Sequence, residues 1–365
     1  MTNREKEIYD IIAADPMISQ EELAAKLKIT RSAAAVHISN LMKKGYIIGK
    51  GYIMHDPSYI TVFGAVNMDI GGTPHKPLVK EDSNPGCVRT SLGGVGRNIA
   101  HNLSLLGNSV KLVTAFGDDE YAKQIITSCN NLRIDIHDSL VSKDDMTSTY
   151  LYITREDGDM ELAINDMSIY RKMTPEFIAT KRNLMENSAL IIIDANLPEA
   201  TIEAIVKGAK APVFAEPVSA AKAVKFKKVL KYIHTITPNI LEAEILSGMK
   251  INPDDKKSLN MAATKLMDEG VKQVIITLGS KGVYYKSSEA EGIMPPLKAK
   301  MVNTTGAGDA LFAGLATGFS KELPLQDCVK IGMAAAAMTL ETTETNNNEL
   351  SFELTLNRAK IKGVK

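Results

Sequence analysis

Residues 303–314 read N-T-T-G-A-G-D-A-L-F-A-G. A single acid, Asp309, follows Gly306, Ala307 and Gly308, with small apolar residues behind it. Glycines followed by an apolar run predict a turn that opens into a helix. The first backbone N–H groups of that helix lack partners, and with the helix dipole they make an anion site. Small side chains let a phosphate approach the main chain closely. Asp309 falls in the first turn, where a carboxylate can take a proton from a substrate hydroxyl. The backbone beside it would stabilise charge growing on a transferring phosphoryl group. Acid and anion cradle would then serve the two ends of one in-line transfer. The other reading of this short stretch is an ordinary aspartate stabilising a helix N-terminus.

Outward from that stretch, strands and helices alternate from Tyr59 onward, which predicts a largely parallel sheet covered by helices. Buried-strand candidates are 59–66, 110–115, 190–195, 211–216, 232–237 and 273–278. T-Y-L-Y-I-T (149–154) and M-E-L-A-I-N (160–165) flank R-E-D-G-D, and Asp157-Gly158 signals a hairpin. Its polar side argues for a small lid sheet beside the main one. No G-x-x-x-x-G-K-[ST] occurs, which argues against a P-loop nucleotidase. G-G-V-G-R-N (93–98) lacks the third glycine of a dinucleotide fingerprint.

The first 56 residues read differently. Residues 1–22 carry six acids and two basic residues, whereas Leu23–His55 carries six basic residues and no acid. Ile8, Ile11 and Ile12 predict one helical face. Ser19 with Glu22 predicts a capping box, and Thr30 caps a third helix with Val36, Leu41 and Met42 on one face. Gly45 ends that helix. Y-I-I-G-K-G-Y-I-M then reads as two short strands of a wing. The order resembles a winged helix-turn-helix domain, whose third helix would enter a major groove of double-stranded DNA. Arg31, Ser32, His37 and Asn40 are its base-contact candidates, and Lys43, Lys44 and Lys50 its phosphate candidates. A helical module that packs on a partner is the alternative.

Composition bounds the rest. The chain has 365 residues, 44% of them apolar, with 43 basic and 43 acidic side chains. Net charge therefore points to neither nucleic acid nor membrane as an overall partner. The three cysteines, Cys87, Cys129 and Cys328, show no metal spacing. No apolar run approaches the roughly 18 residues of a membrane span, and no apolar signal core opens the chain. A soluble, cytoplasmic protein is expected.

Five stretches, in order, resemble the ribokinase-like (PfkB) carbohydrate kinases: 64–69 (G-A-V-N-M-D), 92–107 (L-G-G-V-G-R-N-I-A-H-N-L-S-L-L-G), 237–244 (T-P-N-I-L-E-A-E), 277–283 (T-L-G-S-K-G-V) and 303–314. The resemblance implies a three-layer α/β/α domain over residues 57–365, with a β lid at about 70–92 and 147–167, behind a winged helix-turn-helix domain at 1–56. It also implies an ATP-dependent kinase acting on a ribose-type primary hydroxyl. Asp309 would be the general base, with Gly306, Ala307 and Gly308 as the anion hole. Asn67, Asp69, Gly93, Gly94 and Asn98 would bind the sugar, the glycines letting it lie against the backbone. Asn239 and Glu242 would organise phosphate and Mg²⁺ through water. Thr277 and Gly279 would line the nucleotide. Asn303 stands where many relatives carry an acid, so Asn303 and Thr305 leave a K⁺ site open. Arg97 would reach a phosphate or a base, or form a surface ion pair.

The stretch 84–103 resembles pseudouridine kinases within that family, some of which carry an N-terminal helix-turn-helix. Pseudouridine is therefore the expected nucleoside, with another ribonucleoside or ribose as runner-up. A nucleoside-sensing transcription regulator is the reading from a different class. Thr149 and Asp166 of the lid are the candidates for the base, and Asp194 and Asn196 lie at a strand end that suits ligand contact. Exposed lid strands suggest a homodimer.

Overall fold

The computed structural model describes residues 1–47, 59–157 and 159–363. The predicted wing, with Lys50, lies largely outside the described residues, and so does Gly158 of the predicted hairpin turn. The chain divides into two compact units, Met1–Tyr59 and Ile60–Lys365.

In the first unit, α1 (Asn3–Ala14) and α2 (Gln20–Leu27) both begin with capping boxes, Thr2 with Glu5 and Ser19 with Glu22. Thr30 caps α3 (Arg31–Lys43) by accepting from the Ala33 N–H at 3.1 Å. Ile8, Ile12, Ile18, Leu23, Ala24, Ala34, Ile38, Leu41 and Ile47 form the core. Within α3 the buried positions are therefore 34, 38 and 41. The expected face of Val36 and Met42 is wrong: they are 58% and 44% exposed. Spacings of four and three residues put Ala34, Ile38 and Leu41 on one side, and Val36 lies across the helix from them. Lys44 is also withdrawn from the phosphate set, since its ammonium lies 2.8 Å from both Glu5 oxygens. That bond holds the Glu5 carboxyl down to about 2.

The described residues of the second unit hold fourteen strands: β1 (Ile60–Phe63), β2 (Asn67–Pro74), β3 (Gly86–Gly93), β4 (Val110–Val113), β5 (Ala115–Phe116), β6 (Leu140–Val141), β7 (Thr149–Thr154), β8 (Met160–Asp166), β9 (Leu190–Asp194), β10 (Val213–Glu216), β11 (Thr235–Ile236), β12 (Gln273–Thr277), β13 (Val283–Lys286) and β14 (Glu291–Met294). The eight-stranded main sheet has the order β14-β13-β12-β11-β10-β9-β1-β4. Its strands from β4 to β12 are parallel, and β13 and β14 add an antiparallel edge that the strand patterns did not reveal. All residues of β1 and β9 are buried. Strands covered on both faces lose the polar alternation, which is why I-T-V-F and L-I-I-I-D are mostly apolar, with Thr61 and Asp194 buried as well. Ile60, Val62, Leu190, Ile192 and Phe214 of this sheet pack with Ile99 and Leu103 of α4 (Val95–Leu105). Phe312 and Ala316 of the helix Ala307–Ser320 join the same core.

The lid is a four-stranded sheet, β3-β2-β7-β8. Because β2 follows β1 after a gap of three residues, 64–66, the lid and the main sheet diverge from one point.

Candidate active site

Three parallel strands end close together, and their C-terminal ends carry the polar residues, as open α/β sheets do at a ligand crevice. Gly64 follows β1, Asp194 ends β9 and Glu216 ends β10. Gly64 has no room for a side chain: a Cβ would lie 2.6 Å from Asp194 Oδ2 and 2.7 Å from the Gly96 Cα. Asp194 is fully buried and accepts from the Ala65 and Asn196 N–H groups at 2.8 Å each. Its carboxylate thus ties strand ends together.

At the N-terminus of the helix Ala307–Ser320, Gly306 has φ 82, and a Cβ there would meet the Thr345 carbonyl oxygen at 1.9 Å. Gly308 differs, because nothing lies within 4 Å of where its Cβ would be. Behind this turn, Asn303 Nδ2 donates to the Thr343 oxygen at 3.1 Å and its Oδ1 accepts from the Thr305 N–H at 3.0 Å. Asn303 thereby links the turn to the 341–345 loop, while its bond from Thr305 stays within the turn.

Asp309 accepts from Asn98 Nδ2 at 2.9 Å. Burial pushes its carboxyl up to about 7; the Asn98 bond opposes the rise and the Asp194 charge adds to it. A cleft of about 220 Å³ opens beside it, lined by Glu216, Thr237, Asn239, Glu242, Thr277 and Gly308 among others. Asn239 and Glu242 form a capping box on the helix Ile240–Ser247: the Asn239 N–H reaches Glu242 Oε2 at 2.8 Å, and the Glu242 N–H reaches Asn239 Oδ1 at 3.0 Å. Burial raises Glu242. Burial raises Glu216 well above the usual carboxylate range, opposed by the 2.6 Å bond from Thr237 Oγ1 and reinforced by the charges of Glu242 and Asp309. Thr277 pairs with Asn239 and donates its N–H to the Pro238 oxygen at 2.9 Å. Gly279 opens the next turn at φ 60.

Glu216, Thr237 and Val218 were missed in the sequence. The available signal was the strand 211–216, which ends on an acid at the carboxyl edge of the sheet. Val218 carried a further mark that no local pattern shows, a β-branched residue at φ 67 lining the cleft.

The sugar-side candidates converge on the start of α4. Asn67 Nδ2 donates to Asp69 Oδ1. Burial lifts Asp69 to about 6, with Asn67 and Arg97 opposing. The two glycines of this stretch are also required by packing. A Cβ on Gly93 would strike the Asp69 carboxylate at 2.3 Å, and one on Gly94, at φ 97, would strike the Ala65 oxygen at 2.4 Å. The space left by their missing side chains is filled by protein, so these glycines let β1, β2 and α4 approach one another.

Strand parity sets two lid candidates apart from Asp69. Thr149 and Asp166 pair with each other beside Met68, whereas Asp69 pairs with Tyr150, and Tyr150 with Asn165. Successive side chains alternate faces, so Thr149 and Asp166 lie on the face opposite Asp69. Asp166 accepts from the Ser168 N–H at 3.0 Å, a local turn bond that lowers its carboxyl. The row on the Asp69 face is Ser91, Asp69, Tyr150 and Asn165. Asn196 accepts from Lys222 Nζ at 2.5 Å. Arg97 neither makes a surface ion pair nor points to solvent, being 6% exposed.

A parallel sheet with a lid, and a carboxylate beside a bare helix N-terminus at its carboxyl edge, define a phosphotransferase of the sugar and nucleoside kinase class. The chain belongs to the pfkB family of carbohydrate kinases, whose model matches residues 57–351. Residues 1–48 match the winged helix-turn-helix DNA-binding family. A pseudouridine kinase of Escherichia coli (strain K12) is 37% identical over 301 residues, covering 82% of this chain and 96% of that protein. The uncharacterized sugar kinase YeiI of the same organism is 37% identical over 355 residues, covering 97% and 98%. Among solved structures, a carbohydrate kinase from Agrobacterium tumefaciens shares 28% identity with a TM-score of 0.73, covering 83% of this chain and 97% of that one. The ribokinase of Arabidopsis thaliana complexed with ribose and ATP has the same fold at 20% identity, with a TM-score of 0.73 and coverage of 83% and 99%.

Proposed function

We propose that this protein transfers the γ-phosphoryl group of ATP to the 5′-hydroxyl of a ribonucleoside, with pseudouridine as its substrate. The observation that carries the reading is the Asn98–Asp309 bond at 2.9 Å beside the open Gly308 backbone. Asp309 accepts the proton of the 5′-OH, the oxygen attacks the γ-phosphorus, and the bond to the ADP oxygen breaks. The N–H groups of Gly306, Ala307 and Gly308 receive the charge on the equatorial oxygens. Asn67, Asp69 and Asn98 hold the ribose. On the lid, Tyr150 offers a ring and Asn165 an amide on the face that carries Asp69, which suits a uracil edge with both N–H and C=O groups. Thr277 and Gly279 lie on the nucleotide side.

The donor set fits Mg²⁺. Glu216 and Glu242 face the same cleft, the Glu242 charge raises the proton affinity of Glu216, and a hard cation relieves that repulsion. Among the described residues no three His, Cys, Asp or Glu side chains group closely enough to cage an ion, so water would complete the shell. Bound there, the ion would neutralise phosphate charge. The 37% identity to a pseudouridine kinase over 301 residues supports the choice of nucleoside. Homodimer formation through the exposed lid face bearing Leu162 and Ile164 belongs to the same proposal.

The test is a screen of ATP consumption by purified protein against pseudouridine, uridine, cytidine, inosine, adenosine and ribose. The highest kcat/KM is expected with pseudouridine. Preference for free ribose would overturn the nucleoside reading, and no turnover with any acceptor would overturn the kinase reading.

A second reading rests on the winged helix-turn-helix match at residues 1–48: ligand held by the kinase unit also governs DNA binding by the first unit.

A further inference from the structure

Arg97 is a buried guanidinium whose hydrogen bonds, among the described residues, all go to uncharged groups. From the first turn of α4, Nη1 donates to the Leu92 oxygen at 3.1 Å, to Asn98 Oδ1 at 3.2 Å and to Asn346 Oδ1 at 3.0 Å. Nη2 lies 3.3 Å from His101 Nδ1 and 3.3 Å from Ser128 Oγ, and Nε has no partner among the described residues. Asp69 acts on this charge electrostatically but does not hydrogen-bond it, and a buried charge whose bonds go to neutral groups is costly, where an apolar side chain would fill the same space more cheaply. What the guanidinium supplies instead is direction, because it can only donate.

The direction matters for Asn98. An amide is nearly symmetric in shape, and either end could face Asp309. With its oxygen held by Arg97, Asn98 must turn Nδ2 toward Asp309 Oδ2, where it lies at 2.9 Å. The reversed amide would set oxygen against carboxylate and leave the guanidinium facing an NH₂ group. The second contact reaches the opposite wall of the site. Asn346, 5% exposed, accepts from Arg97, while its own Nδ2 lies 3.3 Å from the Asn98 main-chain oxygen and 3.3 Å from Asn102 Oδ1. Asn346 follows Thr345, whose carbonyl packs against Gly306. One cation therefore joins the lid strand through Leu92, the amide that holds Asp309, and the loop that backs the anion turn.

We infer that Arg97 is a positioning residue for phosphoryl transfer: it fixes the orientation of the Asn98 amide and so the placement of Asp309, without touching nucleoside or ATP. The inference rests on the reading of Asp309 as the base. Its test compares Arg97→Met, Arg97→Gln and Arg97→Lys in the full-length protein. Turnover is expressed per nucleoside-binding site counted by calorimetry, so that a misfolded fraction drops out. Met and Gln are expected to lower kcat per site by about 10–10², the loss that follows misplacement of a reacting group, with KM for ATP unchanged. Lys, also a pure donor, is expected to restore most of kcat. Wild-type kcat per site in Met or Gln overturns the inference, as does a Lys variant no better than Met. Should Met and Gln both fail to fold, Lys alone decides: near wild-type kcat supports the role, and a ten-fold loss overturns it. Asp309→Asn, run alongside, separates the two failures. If it retains turnover, the base assignment falls; if it is inactive while Arg97 variants keep full kcat, only the present inference falls.

Discussion

At Asp309 two effects oppose each other on one carboxylate. Burial favours the protonated acid, while the Asn98 N–H bond favours the anion, and the balance puts the group at about 7. A base must be unprotonated to act. kcat/KM for the nucleoside should therefore rise with pH through an apparent transition near 7 and level off above it. A pH–rate profile checks this, and a profile flat from pH 5 to 9 would assign the proton to another group. Asp309→Asn should lower kcat by at least about 10² while nucleoside still binds; single-turnover kinetics with calorimetric binding separates the two effects. Asp309 was legible in the sequence because its neighbours in the chain build its surroundings. Its partner Asn98 was legible only as a member of a glycine motif, since 211 residues separate the pair.

The anion turn and the lid make the next scale testable. Gly306 and Gly308 look alike in sequence, but only the first is confined by its conformation. Gly306→Ala places a side chain at φ 82 against the Thr345 carbonyl. It should destabilise by at least about 1–2 kcal/mol and abolish turnover. Gly308→Ala meets open space in a helical turn. It should hold or raise stability by about 0.4–1 kcal/mol, yet lower kcat because its methyl group enters the cleft. Thermal melts with steady-state kinetics read both, and parallel behaviour of the two variants would remove the distinction. On the lid, Asn165→Ala should raise KM for the nucleoside several-fold, while Asp166→Ala on the other face should leave it near the wild-type value. The reverse result would support the Asp166 assignment. Capping boxes at Ser19–Glu22 and the helix start at Thr30 were legible because they close within three residues. The face of α3 and the parity of the lid were not, because neither shows until an element meets its neighbour.

Across the whole molecule, the first unit has its own core and the helix order of a DNA-binding family. Its phosphate-contact set is smaller than the sequence suggests, since Glu5 engages Lys44, and among the base-contact candidates Arg31 lies 3.2 Å from Glu21. Binding to DNA upstream of its own operon should appear in a gel shift at low salt and weaken steeply as salt rises. No shift at low salt would reject DNA binding, because phosphate attraction is strongest there.

The order of strands and helices, the anion turn with its acid, and the family they resemble were determined by the amino-acid sequence alone. Each depends on propensity, periodicity or a short run of neighbours, all of which are written locally. Tertiary structure decided that Glu216 joins Glu242 at the cleft, that protein atoms fill the space where side chains at 93 and 94 would lie, and that Arg97 lies buried beside Asn98. Those outcomes depend on which surfaces meet across distant parts of the chain, and burial and close approach are properties of the meeting, not of either segment.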